Sequence, residues 1–229
     1  MHNRRSDLDV FYGLLSQLEN RMGGRRCLGE CHGKLNWPER GIYFFFEAGE
    51  NRNSTQSVSR VVRVGTHALK TNSRTTLWQR LRQHRGTLNP RGGNHRGSIF
   101  RLLSGEALLM REGAILSTWG QGQSASSDVI SAERTHEVCV SDYLGRMTFI
   151  LLPVPDAPNP NSNRGIIERN SIALLGSCHD IPSTTWLGHH SGRQKVRSSG
   201  LWNINHVCEI YDQEFLVLLE RLVETTPRF

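Results

Sequence analysis

The sequence predicts an α+β fold in which helices pack against a small sheet. Three runs rich in β-branched and aromatic residues are predicted strands, over 41–46, 60–65 and 148–154. Segments whose apolar residues keep helical spacing precede, separate and follow these strands. The order of two strands, a helix, a long segment, a strand and a helix fits this architecture. With 229 residues, the chain is long enough for one sizeable hydrophobic core.

The first element is a predicted amphipathic helix over 6–22. Ser6 and Asp9 resemble a capping box at its start, and Gly23 and Gly24 end it. Its apolar residues keep helical spacing and are predicted to pack on the core: Phe11, Leu14, Leu15, Leu18 and Met22.

The strands over 41–46 and 60–65 form a predicted hairpin, whose long loop is rich in turn-forming residues. A helix over 75–85 follows, with Ser73 as its candidate N-cap and Gly86 at its end. The next segment, "GTLNPRGGNHRGS", is a glycine-rich basic loop.

The long segment over 105–146 is predicted to hold helices within "EALLMREGAIL" and "VISAERTHEVCVSDYL", separated by a flexible loop. After the third strand, residues 165–176 form a predicted helix that is apolar almost all round and therefore buried. A closing helix is predicted within "DQEFLVLLERLV". Its core face holds Phe215, Leu218, Leu219 and Leu222.

The charge of the chain indicates an acidic partner. There are 28 lysines and arginines against 21 acids, which gives a net charge of +7. Arginine far outnumbers lysine, which favours bidentate contacts to phosphate or carboxylate. Nucleic acid is the first candidate, although mild basicity is common among soluble proteins.

The cysteines and the apolar runs indicate the compartment. Five scattered cysteines argue against a disulfide framework and for a reducing compartment. No apolar h-region follows the charged N-terminus, and no apolar run reaches the length of about 18 residues that a membrane span needs. We expect a cytoplasmic protein with no membrane partner.

Four polar side chains fall on the inner side of their predicted elements. With Leu77 at zero and 100° per residue, Leu81 lies at about 40°, His84 at about 340° and Arg80 at about 300°. Arg80 and His84 therefore border the apolar stripe. Glu168 shares a face with the apolar residues of its helix, and Tyr43 lies within a strand that otherwise reads as core. A structural Arg–Glu ion pair is one explanation, because a buried arginine needs a partner.

The same residues also suit phosphodiester hydrolysis in a basic protein. A carboxylate can hold a hard divalent cation such as Mg²⁺. The cation and an arginine can stabilise charge that develops on a phosphate. A phenol beside positive charge can take a proton from the attacking water.

The arrangement resembles the GIY-YIG nuclease superfamily. "GIY" stands at 41–43, and "RVG" at 63–65 takes the place of the second motif. Other positions that resemble the family's motifs, in its order, are Arg80 and His84 on one helix, His95 in "NHRGSIFR", Glu168 in "IERNSIALL" and Asn203 in "GLWN". The resemblance covers roughly residues 37–206. We therefore expect an N-terminal helical extension, 1–36, and a nuclease-like domain, 37–229, with an insertion at about 102–146 and a C-terminal helix.

The resemblance implies a three-stranded, largely antiparallel sheet and cleavage of DNA that depends on Mg²⁺ or Mn²⁺. It implies that Tyr43 activates or positions the nucleophile, that Arg80 stabilises the transition state and that Glu168 holds the metal. His84 and His95 would assist proton transfer or phosphate binding, and Asn203 would orient the site. Arg63 replaces the family's second tyrosine, where a cation could still orient water or bind phosphate.

Two function classes follow. The first is a DNA endonuclease of restriction or repair type, whose phosphate contacts would include Arg85, Arg91, Arg96 and Arg101. The second is a catalytically silent relative that binds nucleic acid or acts as a scaffold, which the replacement by Arg63 supports. Structure-specific RNA cleavage is less favoured, because no aromatic stacking platform stands out. Convergence of Tyr43, Arg80, His84 and Glu168 on one cleft would favour the enzyme, and a closed Arg80–Glu168 pair would favour the silent relative.

Overall fold

A four-stranded antiparallel sheet forms the centre of the computed structural model, which describes residues 4–176 and 180–228. The strands lie in the order β1 (Arg26–Cys27), β6 (Thr148–Pro153), β2 (Gly41–Asn51) and β3 (Ser59–Gly65). The predicted hairpin and third strand are confirmed, as is the antiparallel arrangement. The fourth strand corrects the prediction of three. β1 has only two residues, too few to show a period.

Seven helices lie within the described residues. Their bounds are α1 Arg4–Arg21, α2 Leu77–Arg85, α3 Ile99–Glu112, α4 Ser127–Gly145, α5 Asn163–Leu175, α6 Gln194–Ser199 and α7 Glu214–Thr225. A small hairpin of β4 (Thr87–Leu88) and β5 (Arg91–Gly92) follows α2. The loop predicted as glycine-rich and basic therefore contains regular structure.

Two predicted helix starts are wrong. Ser6 lies inside α1, which already includes Arg4. The N-cap of α2 is Thr76 rather than Ser73, because Thr76 and Gln79 form a reciprocal capping box. Gly86, with a φ of 85°, ends α2 as predicted.

Side chains that alternate along β2 divide the core between the two faces of the sheet. Phe44 meets Phe11 of α1 at 5.9 Å between ring centroids, and Phe11 also meets Phe215 of α7 at 6.4 Å. On the opposite face, Phe45 meets Phe100 of α3 at 5.4 Å. α1 therefore packs directly on the sheet, and the predicted boundary at residue 36 stays a prediction.

The predicted insertion contains most of α3 and all of α4. α3 begins earlier than predicted, because the Ser98 hydroxyl caps it by accepting from the Arg101 amide at 3.2 Å. Among the helices the structure describes, none has the length and apolar character needed to cross a membrane.

Candidate active site

Strand pairing places Arg63 and Gly65 on the same sheet face as Tyr43. Tyr43 lies opposite Gly65, and Phe45 lies opposite Arg63. The Tyr43 ring covers Gly65 so closely that a Cβ at this position would stand 2.5 Å from the phenol oxygen. The glycine of "RVG" is therefore required by space, since any side chain here would displace Tyr43.

The Tyr43 phenol belongs to a buried hydrogen-bonded chain. Its oxygen lies 2.8 Å from His84 Nε2, and His84 Nδ1 lies 2.7 Å from the Ser98 hydroxyl. The Ser98 oxygen already accepts from the Arg101 amide, so its own proton is available to His84 Nδ1. We therefore assign the imidazole proton to Nε2, which donates to Tyr43.

The electrostatics of this chain keep His84 neutral. Burial lowers the pKa of His84 well below its usual value, and the charges of Arg80, Arg63 and Arg101 lower it further. A neutral imidazole can donate a hydrogen bond to the phenol oxygen without adding another charge to the core. Tyr43 and His84 are both fully buried.

Arg63 lies close to the phenol and has no carboxylate partner within 4 Å among the described residues. It donates from Nη1 to the Trp202 carbonyl, and its Nε has no hydrogen-bond partner there. The guanidinium also lies 4.7 Å over the Phe100 ring. Burial lowers the pKa of Arg63, while the neighbouring Tyr43 and Glu168 oppose this change. A buried cation without a counter-charge is a site that favours an anion.

Glu168 reaches the same place from α5. Its Oε1 accepts a hydrogen bond of 3.0 Å from the Thr66 amide, directly after the "RVG" motif. One helical turn earlier, the fully buried Arg164 ties α5 to the carbonyl of His67. Burial raises the pKa of Glu168, against the effect of the Thr66 bond and of nearby cations.

These elements surround a cleft of about 240 Å³. Arg63, Arg80, Glu168, Asn203 and His206 are among its lining residues. Arg80 donates to the Gly97 carbonyl at 3.2 Å and to the Gln83 side chain at 3.0 Å, and it forms no ion pair with Glu168. The Arg80–Glu168 ion pair, which was the alternative explanation for these residues, is therefore not formed, and the cleft stays open.

Asn203 holds the edge of the sheet at this cleft. Its side chain accepts from the Val64 amide at 3.1 Å and donates to the Val64 carbonyl at 2.9 Å. The Trp202 amide also donates to the Val62 carbonyl at 2.7 Å, so "GLWN" covers the open edge of β3. Asn203 therefore orients the strand that carries Arg63.

His206 is a cleft residue that the sequence prediction missed. It lies three residues beyond Asn203, with a φ of 64°, and its Nδ1 is 2.8 Å from Glu209. It lies beyond Asn203, the last position of the resemblance, and a histidine in a loop gives no periodic signal.

The structure places three predicted nucleic-acid contacts outside the cleft. His95 is 2% exposed, with Nδ1 against Glu137 and Nε2 accepting from the Gly120 amide. Arg96 forms a bidentate pair with Glu133, and the fully buried Arg101 bonds to Glu137. Phosphate contacts from these side chains do not fit this geometry, because their polar atoms are already engaged.

The residues present fit a hydrated divalent cation. Within residues 4–176 and 180–228, no group of three or more His, Cys, Asp or Glu side chains could hold a metal ion. Among the residues the structure describes, the site thus lacks a cage of protein ligands, and Glu168 is the one carboxylate in the lining of the cleft. Mg²⁺ commonly binds to one or two carboxylates and completes its shell with water and substrate phosphate.

Comparison with protein families matches one model, described as a GIY-YIG domain, over residues 2–229. No curated protein and no solved structure gives a significant match. The match spans nearly the whole chain, including the α1 segment and the insertion between α2 and β6. Of the motif residues, four line one cleft: Arg63, Arg80, Glu168 and Asn203. The chain belongs to the GIY-YIG domain family.

Proposed function

We propose that this protein is a metal-dependent endonuclease that hydrolyses phosphodiester bonds of DNA. The observation that carries the proposal is the open cleft in which Arg63, Arg80 and Glu168 meet beside the buried Tyr43–His84 pair. A cytoplasmic location and DNA as the substrate, both predicted from the sequence, are part of the proposal.

Arg63 and Arg80 are the proposed ligands of the scissile phosphate. Both line the cleft, and neither has a carboxylate partner among the residues described. Charge that develops on the phosphate oxygens is stabilised by cations already held in place. The two guanidiniums come from β3 and α2, so they approach the phosphate from different elements.

Tyr43, as the phenolate beside the Arg63 cation, is the proposed acceptor of the nucleophile's proton. His84 holds the phenol oxygen by donating to it, and Arg63 both neighbours Tyr43 and lines the cleft. A rearrangement of the Arg63 side chain on binding phosphate gives water access to the phenol. Ser98 acts one step further away, since it fixes the His84 tautomer.

Glu168 is the proposed ligand of Mg²⁺ or Mn²⁺, and His206 and Asn203 line the space beside it. The cation, when bound, supplies Lewis-acid stabilisation of phosphate oxygens. The raised pKa of Glu168 means that the carboxyl must lose a proton that burial favours before it can bind a cation.

The alternative is a catalytically silent relative that binds nucleic acid. The complete burial of Tyr43 favours it, because a phenol without exposed surface does not contact substrate in this conformation. The absence of an Arg80–Glu168 ion pair in the described part of the chain favours the enzyme. So does the buried cation Arg63, which has no carboxylate within 4 Å among the described residues.

A supercoiled-plasmid assay separates the two functions. We expect the wild-type protein to nick or linearise plasmid in Mg²⁺ and to stop in EDTA. Glu168→Gln and Arg63→Gln should each lose about 10²-fold or more in rate. Glu220→Gln, an exposed carboxylate on α7, is the matched control and should cut normally. Salt-sensitive DNA binding without any cleavage would favour the silent relative, and full activity of Glu168→Gln would refute the site.

A further inference from the structure

A second basic pocket lies on the other flank of α2. It has a volume of about 430 Å³ and is enclosed by the end of α2, the β4–β5 hairpin and the end of α4. Three arginines line it, Arg85, Arg91 and Arg146, against one carboxylate, Asp142. Gly29 and Gly145 meet at its wall so closely that a Cβ on Gly29 would lie 2.9 Å from the Gly145 carbonyl.

Arg85 is a preorganised donor in this pocket. It is 8% exposed, and its guanidinium lies 5.1 Å over the Trp78 ring. Nη1 donates to the Cys31 carbonyl and Nε to the Gly86 carbonyl at 3.2 Å. No hydrogen-bond partner within residues 4–176 and 180–228 engages Nη2, and no carboxylate there lies within 4 Å of Arg85. A fixed, buried cation with one unused donor suits an anion.

The other cations leave the pocket positive. Arg146 is exposed at the end of α4 and forms no ion pair among the described residues. Arg91 pairs with Asp142, which neutralises the single carboxylate of the lining. Within the described part of the chain, two guanidiniums of the pocket, one buried and one exposed, therefore have no carboxylate within 4 Å.

The pocket and the cleft lie on two sides of the same helix, α2. Around α2, Arg80 and His84 lie at about 300° and 340°, whereas Arg85 and Trp78 lie at about 80° and 100°. The cleft and the pocket therefore open on opposite flanks of one helix. A helix is about 10–12 Å across, which corresponds to roughly three base-pair steps of 3.4 Å.

We propose that the Arg85 pocket binds a second backbone phosphate of the nucleic acid whose scissile phosphate lies in the cleft. The proposal rests on the proposed function. It gives α2 two phosphate sites, one at each flank, which fix the register of the strand without reading its bases.

Binding of a labelled duplex, measured in EDTA over about 50–200 mM salt, tests this proposal. Arg85→Gln and Arg146→Gln should each weaken binding roughly tenfold and reduce the salt slope by about 0.9. Arg146→Gln keeps the test valid if Arg85→Gln fails to fold. Arg221→Gln removes the same charge from α7, which packs with α1, and should bind as the wild type does.

The outcomes separate this pocket from the proposed function. If both variants keep the salt slope of the wild type while the wild-type protein cleaves DNA, the second phosphate site is refuted and the proposed nuclease function stands. If the salt slopes of both variants fall as expected but the wild-type protein cleaves no DNA, the phosphate site is supported and the proposed nuclease function is refuted. A wild-type protein that binds no duplex would overturn both. In a separate titration, inorganic phosphate that binds only when Arg85 is present, with DNA slopes unchanged, would make this a free-anion site instead.

Discussion

Replacing Gly65 with alanine should displace the Tyr43 phenol. The new Cβ would stand 2.5 Å from Tyr43 Cε2 and Oη and 2.6 Å from Cζ. Carbon contacts need about 3.5 Å, so the ring must move by about 1 Å. The bond of 2.8 Å to His84 would then stretch beyond hydrogen-bonding distance. Overpacking costs about 1–3 kcal/mol and the lost bond about 1 kcal/mol, so we expect a loss of about 2–4 kcal/mol in stability.

Urea unfolding and plasmid cleavage together measure this effect. A displacement of about 1 Å in a catalytic group should slow cleavage by about 10²-fold. Gly13→Ala is the matched control, because Gly13 is exposed on α1 and has no neighbour within 4 Å of an added Cβ. In a Tyr43→Phe background, Gly65→Ala should destabilise less, since one of the two closest atoms is gone. Wild-type stability and cleavage in Gly65→Ala would refute the assigned packing.

The remaining predictions concern protons and buried charge. Because burial raises the pKa of Glu168, thermal stabilisation by Mg²⁺ should increase from pH 5 to pH 7 and vanish in Glu168→Gln; a pH-independent effect would contradict this. His84 should show ¹⁵N shifts of the neutral Nε2–H tautomer at pH 7 and keep them at pH 5.5, and a protonated ring at pH 5.5 would contradict the assignment. Its folded-state pKa lies below the unfolded value of about 6.5, so the stability His84 contributes is complete above that pH and falls by up to about 1.4 kcal/mol per unit below it. Arg101→Met should destabilise the fold by about 3–5 kcal/mol, by removing the cation that pairs with the buried Glu137, without changing the salt slope of DNA binding; a changed slope in a stable variant would restore Arg101 as a phosphate contact.

Local periodicity was sufficient to predict the parts of the site that lie on regular elements. Alternation along β2 separated Tyr43 from Phe44, and the structure places them on opposite faces. Helical spacing placed Arg80 and His84 at the edge of the apolar stripe of α2, where Arg80 reaches the cleft and His84 reaches Tyr43. These positions depend only on neighbours a few residues away, which a single sequence contains.

Side chains whose partners are distant in sequence could not be placed in this way. Glu137 of α4 engages His95 across 42 residues and Arg101 across 36, so two side chains predicted to contact nucleic acid are instead part of the core. The carbonyl partner of Arg63, at Trp202, is 139 residues away. Composition showed that the arginines favour anions, but only packing decides which of them already have a carboxylate.

The fourth strand and His206 were missed for a different reason. β1 acquires its identity only by pairing with β6, where Arg26 lies opposite Phe149. His206 lines the cleft from a loop, where the chain takes a left-handed conformation. Neither feature leaves a periodic pattern in the sequence.

The position of Mn²⁺ in crystals of Tyr43→Phe with duplex DNA tests the central claim most directly. Anomalous scattering locates the cation, and the substitution slows cleavage without removing Glu168. We predict a peak beside the Glu168 carboxylate, with a DNA phosphate in the cleft between Arg63 and Arg80. DNA bound on another face of the protein, with no anomalous peak at Glu168, would contradict the assignment of this cleft as a metal-dependent phosphodiesterase site.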